Sequence, residues 1–524
     1  MDRDSRSILI GGALFLQSEY PVRLFAHHRR QFRWNSPRPH DTFAGLVEAF
    51  LDSMSLLLIP PSAESVAACC LDLPLAGRPA HLADQSTPER PAPGDTAPAT
   101  GTKCSKITTS EGYLDQEPPT LTLRIARNGQ LTASEDQQLN DLATKIINFM
   151  QTGRRSMPHQ TLVKKSNKYI RIGTSANWEP IKQEILLQCR GKIRNCILGN
   201  DPRNSRISQF SSVIQQLADS PPPAYIPSLK NLLYAGRSSI YTPQNADEAY
   251  ARLVGGLRKF AVKTKAVSDG EWSSASMITS AAASMRREEV LMALLQKSLS
   301  TRNARKATRF LERLAAYGVA LESLRQLFLR RSAGSSHPLF TSKIVILLLP
   351  PNHMSFQPPS LDELSSSVMT VDEHESLQIP LTACESYTSI STDVDLEEHC
   401  EIQLVHFYIE NPDTVPVLPY LGISKPSCFQ CSAFFGRLQD PGLPGSPIKF
   451  RVRAERAKVC GRWLPPDDIG ATGAIRDRVL ESLRHVADEI QLSLREVLRR
   501  LGYSNRFELG GFCFDDHPMK TQVF

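Results

Sequence analysis

Two short runs of metal-ligating residues stand in the C-terminal third of the chain: His399-Cys400-Glu401, and Pro426-Ser427-Cys428-Phe429-Gln430-Cys431. Ligands far apart in sequence that must meet at one ion restrict a fold more than any compositional bias. A zinc ion takes about four ligands in a tetrahedron, and a catalytic site leaves one position to water. His399, Cys428 and Cys431 supply three, and water in the fourth position has its pKa lowered by the ion. Cys428 and Cys431 are three positions apart, which on a helix sets both sulfurs on one face about one turn apart. Pro426 stops that helix from extending backwards and Ser427 is a good N-cap, so a helix is expected from Cys428 to about Leu438. The exposed N–H groups of its first turns favour thiolates, the form that binds metal.

Glu397-Glu398-His399-Cys400-Glu401 reads as the acidic start of another helix, running to about Tyr408. Residues two apart on an ideal helix do not share a face, so spacing alone does not aim His399 and Glu401 at one point. Between the two helices, Pro419-Tyr420-Leu421-Gly422-Ile423-Ser424 follows the turn-rich NPDTVPVLP and reads as a short buried strand. Helix–strand–helix with ligands at both helix starts would gather them at one end of a sheet.

H-x-E followed by P-x-C-x-x-C resembles the zinc deaminase signature, although Ser427 stands between Pro426 and the first cysteine. His399 to Leu404, Tyr420 to Lys425, Cys428, Cys431, and Phe450-Arg451-Val452-Arg453 through Trp463-Leu464-Pro465 carry the likeness. By these residues the last third of the chain is similar to a deaminase-like domain family of filamentous fungi and some bacterial toxins. That family lies within the nucleic-acid and nucleotide deaminase superfamily. The resemblance implies a three-layer α/β/α fold around a mixed sheet, zinc on His399, Cys428 and Cys431, and Glu401 as the proton shuttle. It implies hydrolytic removal of an exocyclic amine from a nucleobase, in a nucleotide or a nucleic acid. Cytosine or adenine, and free nucleoside or polynucleotide, stay open. Two other readings stand beside it. One is a structural zinc module in a helical interaction protein, with Cys400 or His406 closing the site. The other is a helical scaffold with an inactive domain whose Cys and His are core residues.

The chain has 524 residues, which suits two to four domains. A formal charge of +7 permits nucleic-acid binding without demanding it. Its 11 cysteines are scattered and odd in number, which favours a reducing, intracellular setting, cytoplasmic or nuclear. No apolar run approaches a membrane span. Ile8–Leu16 is short, and Asp2 and Asp4 precede it, unlike a signal peptide.

Residues 1–60 read as an N-terminal helical segment, with a helix over Thr42–Leu58 and a surface turn at His27-His28. Residues 61–118 read as a disordered Pro/Ala/Ser-rich linker with too few large apolar residues for a core; Cys69, Cys70 and Cys104 are then ordinary thiols. Residues 119–331 read as a mainly helical domain. It opens with two short strands around Asn128-Gly129. Helices follow over Ala133–Gln151, Pro180–Cys196, Arg206–Ala218, Pro227–Tyr234, Pro243–Val262, Ser280–Leu299 and Arg302–Leu329. Cys189 and Cys196 are expected to pack in its core. Arg302, Arg305, Lys306, Arg309 and Arg313 line one side of the last helix, away from Phe310, Leu311 and Leu314. A solvated face is the expected role of that ridge, and a nucleic-acid backbone site the functional alternative. Residues 337–524 read as the deaminase-like zinc domain. Its expected elements are a buried strand at Ile344–Leu349, another near Leu377–Thr382, and an antiparallel hairpin of Lys449–Arg453 with Lys458–Leu464. A long amphipathic helix over Ala474–Leu501 follows. Trp463 is expected to pack, and Cys513 and His517 are given no metal.

Overall fold

The computed structural model describes residues 3–19, 42–59, 66–73, 120–129, 132–152, 163–165, 168–170, 178–199, 205–220, 246–287, 289–332, 338–376, 384–390, 393–443, 450–452, 458–466 and 472–508. In chain order these form α1 (Arg3–Glu19), α2 (Phe43–Leu57), β1 (Ala67–Leu73) and β2 (Thr120–Arg127). Next come α3 (Ala133–Thr152), a hairpin of β3 (Val163–Lys165) and β4 (Lys168–Ile170), α4 (Trp178–Gln188), α5 (Arg190–Leu198) and α6 (Arg206–Asp219). Then follow α7 (Ala246–Ser268), α8 (Ala275–Arg287), α9 (Glu289–Ser298) and α10 (Thr301–Ser332). The remainder comprises β5 (Lys343–Leu348), β6 (His353–Phe356), α11 (Leu361–Val368), α12 (Val371–Ser376), β7 (Val394–Glu397) and α13 (Cys400–Glu410). Last are β8 (Val415–Pro416), β9 (Tyr420–Ile423), α14 (Phe429–Leu438), β10 (Arg451–Val452) and α15 (Gly473–Glu508).

One sheet organises these elements, in the order β10-β9-β1-β2-β5 with β8 beside β1. β1 runs antiparallel to β2, β8 and β9, whereas β9 is parallel to β10 and β2 to β5. The central strand is Ala67-Ala68-Cys69-Cys70-Leu71, short side chains buried on both faces. Such a run suits a strand with a helical layer on each side. Ala67, Cys69 and Leu71 point into a core shared with α2, α3 and the helices up to α10. Ala68 and Cys70 point into a second core with α1, α13, α14 and α15. The architecture is therefore α/β/α around a mixed sheet, with the helical region forming one outer layer.

Several expectations change here. Ala67–Leu73 falls inside the stretch expected to be linker, yet it is the middle of the sheet; residues 74–119 lie outside the described residues. Its Cys69 and Cys70 are buried, and burial pushes both thiols up, Cys70 to about 12. The small side chains that argue against a core are what let helices approach both faces. Asn128-Gly129 does not join two strands. Gly129 turns with φ 83° toward α3, and β2 pairs with β1 upstream and β5 downstream. The sheet neighbouring β5 therefore comes from residues before 131, not from within 337–524. β5 itself lies at an edge, with Val345 41% and Leu347 42% exposed, so the expected buried strand is covered on one face only. Lys458–Leu464 forms no hairpin with β10 among the described residues; β10 lies parallel on β9, and Trp463 bridges Glu397 instead. The helix expected over Pro180–Cys196 breaks at Cys189, and the one over Ser280–Leu299 divides into α8 and α9. Expected features at Pro227–Tyr234, Leu377–Thr382, His27-His28, Cys104, Cys513 and His517 lie outside the described residues.

Close approach at two glycines sets the layers. A Cβ on Gly422 of β9 would lie 2.3 Å from the Leu51 carbonyl carbon of α2. A Cβ on Gly318 of α10 would lie 2.3 Å from the Thr279 carbonyl oxygen of α8. On the other face, polar groups seat α13. Arg124 pairs with Asp72 and lies 3.8 Å over the Phe407 ring, and the Tyr408 hydroxyl also donates to Asp72. Buried Arg478 of α15 donates to the Leu438 and Asp440 carbonyls at 2.9 and 2.6 Å. A cation at the carbonyl end of α14 complements its dipole.

Candidate metal centre

β9 ends at Ile423, and the chain passes through Ser424, Lys425, Pro426 and Ser427 to α14. Ser424 holds this exit against the start of β1, donating its N–H to the Ala67 carbonyl at 3.0 Å and accepting from the Ala67 N–H at 2.9 Å. The N-cap of α14 is Cys428 itself, with extended backbone and its sulfur 3.5 Å from the Cys431 N–H. Ser427 is therefore not the cap. It is buried, and its hydroxyl has no hydrogen-bond partner among the described residues. A thiolate can fill the capping role because it also accepts from first-turn N–H groups.

His399 is the N-cap of α13. It stands just off the helix on extended backbone, while Glu401 sits in the first turn. This removes the difficulty of the two-residue step: only one of the pair is helical, so both can face the same place. Asn128, leaving β2, caps α13 by accepting the Cys400 N–H at 2.8 Å. Gln403 ties the same turn down by donating to the Arg127 and Glu398 carbonyls at 3.1 and 2.6 Å.

The three expected ligands converge. His399 Nδ1 lies 3.5 Å from Cys428 Sγ and 3.3 Å from Cys431 Sγ, and the ligand atoms all lie within 4.8 Å of one another. Metal–ligand bonds of about 2.1 Å to nitrogen and 2.3 Å to sulfur give a tetrahedral N–S edge of roughly 3.6 Å. One imidazole nitrogen and two thiols at this spacing fit a tetrahedral, thiophilic ion, so the group can hold a metal. Burial would depress the His399 imidazole, but the Cys428 and Cys460 sulfurs outweigh it and raise its pKa well above the ordinary value. Burial works against ionisation of Cys428, yet the Cys431 hydrogen bond and the His399 charge lower its pKa. Burial, then the Cys428 sulfur, raises Cys431.

Glu401 is 4% exposed, and its carboxylate accepts from the Cys400 thiol at 3.3 Å. It also acts on both metal-site sulfurs, Cys428 and Cys431. Neither residue expected to close a structural site joins the cluster. Cys400 turns to Glu401, and His406 sits between Glu398 at 2.9 Å and Glu410 at 3.2 Å.

Three supporting residues were missed in the sequence. Cys460 places its thiol against the His399 imidazole, outside the three-ligand group. Gln430, fully buried, clamps the Cys460 segment to α14: its amide donates to the Cys460 carbonyl at 2.6 Å and accepts the Cys460 N–H at 3.0 Å. Asn128 is the third. A glutamine inside C-x-x-C and an Asn-Gly turn were the available signals, but neither names its distant partner. Trp463 is buried as expected, with its indole N–H unpartnered among the described residues.

No curated protein and no solved structure matches the chain. Residues 398–467, which run from the residue before His399 to just past Trp463, match the family model described as OTT_1508-like deaminase. The C-terminal region thus carries a deaminase-like domain, with a His-Cys-Cys group at its centre.

Proposed function

We propose that this region is a zinc-dependent hydrolytic deaminase acting on a nucleobase, with zinc on His399, Cys428 and Cys431. The observation that carries the reading is the buried Glu401 carboxylate beside the two sulfurs. A structural site has no use for an acid there, whereas hydrolysis needs a proton carrier. Zinc supplies a Lewis acid that lowers the pKa of water. Overall, the water oxygen adds to the ring carbon bearing the amine, the C–N bond breaks, and ammonia leaves a carbonyl behind. Glu401 would take a proton from water and deliver one to the departing nitrogen, while the second water proton ends on the adjacent ring nitrogen, so that water's two protons are both placed. The Gln430 clamp ties the Cys460 segment to α14, which carries Cys431 and is capped by Cys428. Among the described residues no helix is long and apolar enough to cross a membrane.

Glu401→Gln tests this. Purified protein should keep its metal, while ammonia release from cytosine- and adenine-bearing nucleosides, nucleotides and oligonucleotides falls about 10²–10⁴-fold. Unchanged turnover would remove Glu401 from the reaction. A second reading rests on Cys460: if its thiol closes the site as a fourth ligand, the zinc is structural and no water position remains. Metal analysis of Cys460→Ser separates the two. Retained stoichiometric metal supports the open site, and lost metal supports the closed one.

A further inference from the structure

Where the chain leaves β9 for the metal-site cysteines, the helical layer beside it is basic. Lys425 lies three residues before Cys428, on the segment leaving β9, so the two are at most about 11 Å apart along the chain. Its charge acts on Lys192 of α5, a lysine only 7% exposed. Burial, then Lys425, holds the Lys192 amine down to about 8. Arg313, Arg206, Lys192 and Lys425 all act on the single thiol of Cys196 in α5. Arg206, at the start of α6, also feels Arg313 directly, and donates to the Asn195 carbonyl at 2.7 Å.

From Arg313 the positive charge continues outward along α10. Arg302, Arg305, Arg309 and Arg313 are exposed, and Lys306 is half-buried. Among the described residues none of the five takes part in an ion pair. The nearest acid on that helix, Glu312, pairs with Arg286 of α8 at 2.9 Å. α6 lies antiparallel beside this ridge, with Gln216 accepting from Asn303 at 2.8 Å at one end and Arg206 beside Arg313 at the other. It carries no acidic residue before Asp219 at its far end. Like charges at i, i+4 disfavour a helix, and a one-sign track beside low-dielectric walls concentrates counter-ions. From Arg302 to Arg313 the track spans about 16 Å of helix, room for roughly five phosphates at the ~3.4 Å spacing of a stacked strand.

We propose that Arg302, Arg305, Lys306, Arg309 and Arg313, continued by Arg206 and Lys425, form a track for the phosphodiester backbone of a single-stranded nucleic acid, delivering one base to the His399-Cys428-Cys431 centre. This rests on the deaminase reading and selects polynucleotide over free nucleotide as its substrate. The ridge is then more than a solvated face, because its inner end adjoins the segment that carries the metal-site cysteines.

The test is fluorescence anisotropy of labelled 15-nucleotide single strands, one DNA and one RNA, titrated with the full chain over a range of KCl concentrations. Wild type should bind with a steep salt dependence, and unlabelled nucleoside monophosphate should compete only weakly. Arg305→Ala/Arg309→Ala/Arg313→Ala should flatten the slope of log K against log salt by about 2, near 0.7 per lost phosphate contact. Arg309→Ala alone should flatten it by about 0.7 and serves if the triple variant misfolds by circular dichroism. Arg476→Ala/Arg484→Ala, on exposed positions of α15, removes charge elsewhere and should leave the slope unchanged. Equal slopes for wild type and both ridge variants overturn the track, as does a monophosphate that competes as well as the oligonucleotide. Glu401→Gln should bind like wild type. Track-dependent binding without turnover therefore leaves the track standing while the enzyme reading fails, and turnover of free nucleosides with ridge-independent binding does the reverse.

Discussion

The two faces of the sheet are held by different means. The helical face is mostly apolar interlock: Phe210 stacks on Phe310 with ring centroids 4.6 Å apart, and Gly318 lets α10 lie against the backbone of α8. Its side-chain hydrogen bonds are largely within a turn, such as Thr264 to the Phe260 carbonyl. The face that carries the candidate metal centre depends on polar groups that join separate elements at chosen atoms: Asn128 to Cys400 and Gln403 to Arg127 across more than 270 residues, and Arg478 to Leu438 across 40. Apolar packing spreads a loss over many contacts. A directional bond at a helix start holds one atom in one place, which is what three converging ligands need. The helical face therefore supplies bulk stability, and the other supplies position.

The comparison breaks most visibly at the ligands. Cys431→Ser should abolish stoichiometric metal binding and any deamination, while helicity, measured by circular dichroism, stays near wild type. A collapse of helicity would mean that the metal also holds the helical face. Next comes the seam between the faces. Gly422→Ala sets a methyl against the Leu51 backbone and should cost about 2–3 kcal/mol in urea unfolding, lowering metal affinity as well because β9 feeds Cys428. Gly318→Ala should cost about 1–3 kcal/mol but leave metal affinity unchanged, since it acts within the helical face. Asn128→Ala should cost only about 1 kcal/mol of stability yet weaken metal binding about tenfold, as partners that orient ligands do. Equal losses in both measurements would deny Asn128 its positioning role.

The smallest effect is a pH dependence on the site face. Arg499 and Arg495 of α15 lower the half-buried Glu373 carboxyl of α12 from 4.5 to about 2. Its folded-state pKa lies below the unfolded value, so its contribution is present above about pH 4.5 and is lost as pH falls through about 2. Glu373→Gln should therefore lower stability slightly at pH 6, by an amount that shrinks as pH is lowered toward and past 2, as read by melting temperature in paired buffers.

Legibility followed the range of the interactions. Thr42 before an amphipathic run places α2, whose cap bond to Gly45 is local. The 3.6-residue periodicity of Arg302–Leu329 places α10. The candidate ligands, which the fold brings together, could be picked out because the chemistry restricts residue type at each position, whatever the intervening chain does. Ala67–Leu73 was illegible for the opposite reason. Two alanines, two cysteines and a buried Asp72 look like linker until β2 and β9 flank them and Arg124 meets the carboxylate. Lys458–Leu464 alternates like a strand, but its backbone partners are Phe429 and Glu397, and the Gln430 side chain binds Cys460.

By itself, then, the amino-acid order determined which side chains can grip a metal, where the amphipathic helices run, and that a short apolar strand separates the two ligand-bearing helices. Only the folded chain decided that strands from before residue 130 complete the sheet, that His399 stands off its helix while Glu401 stands on it, and that Lys192, Arg206 and Arg313 gather beside Lys425. The first set depends on neighbours within a turn or on the bonding needs of an ion. The second depends on which surfaces are left to be covered once the helices have formed, and no local window contains that information.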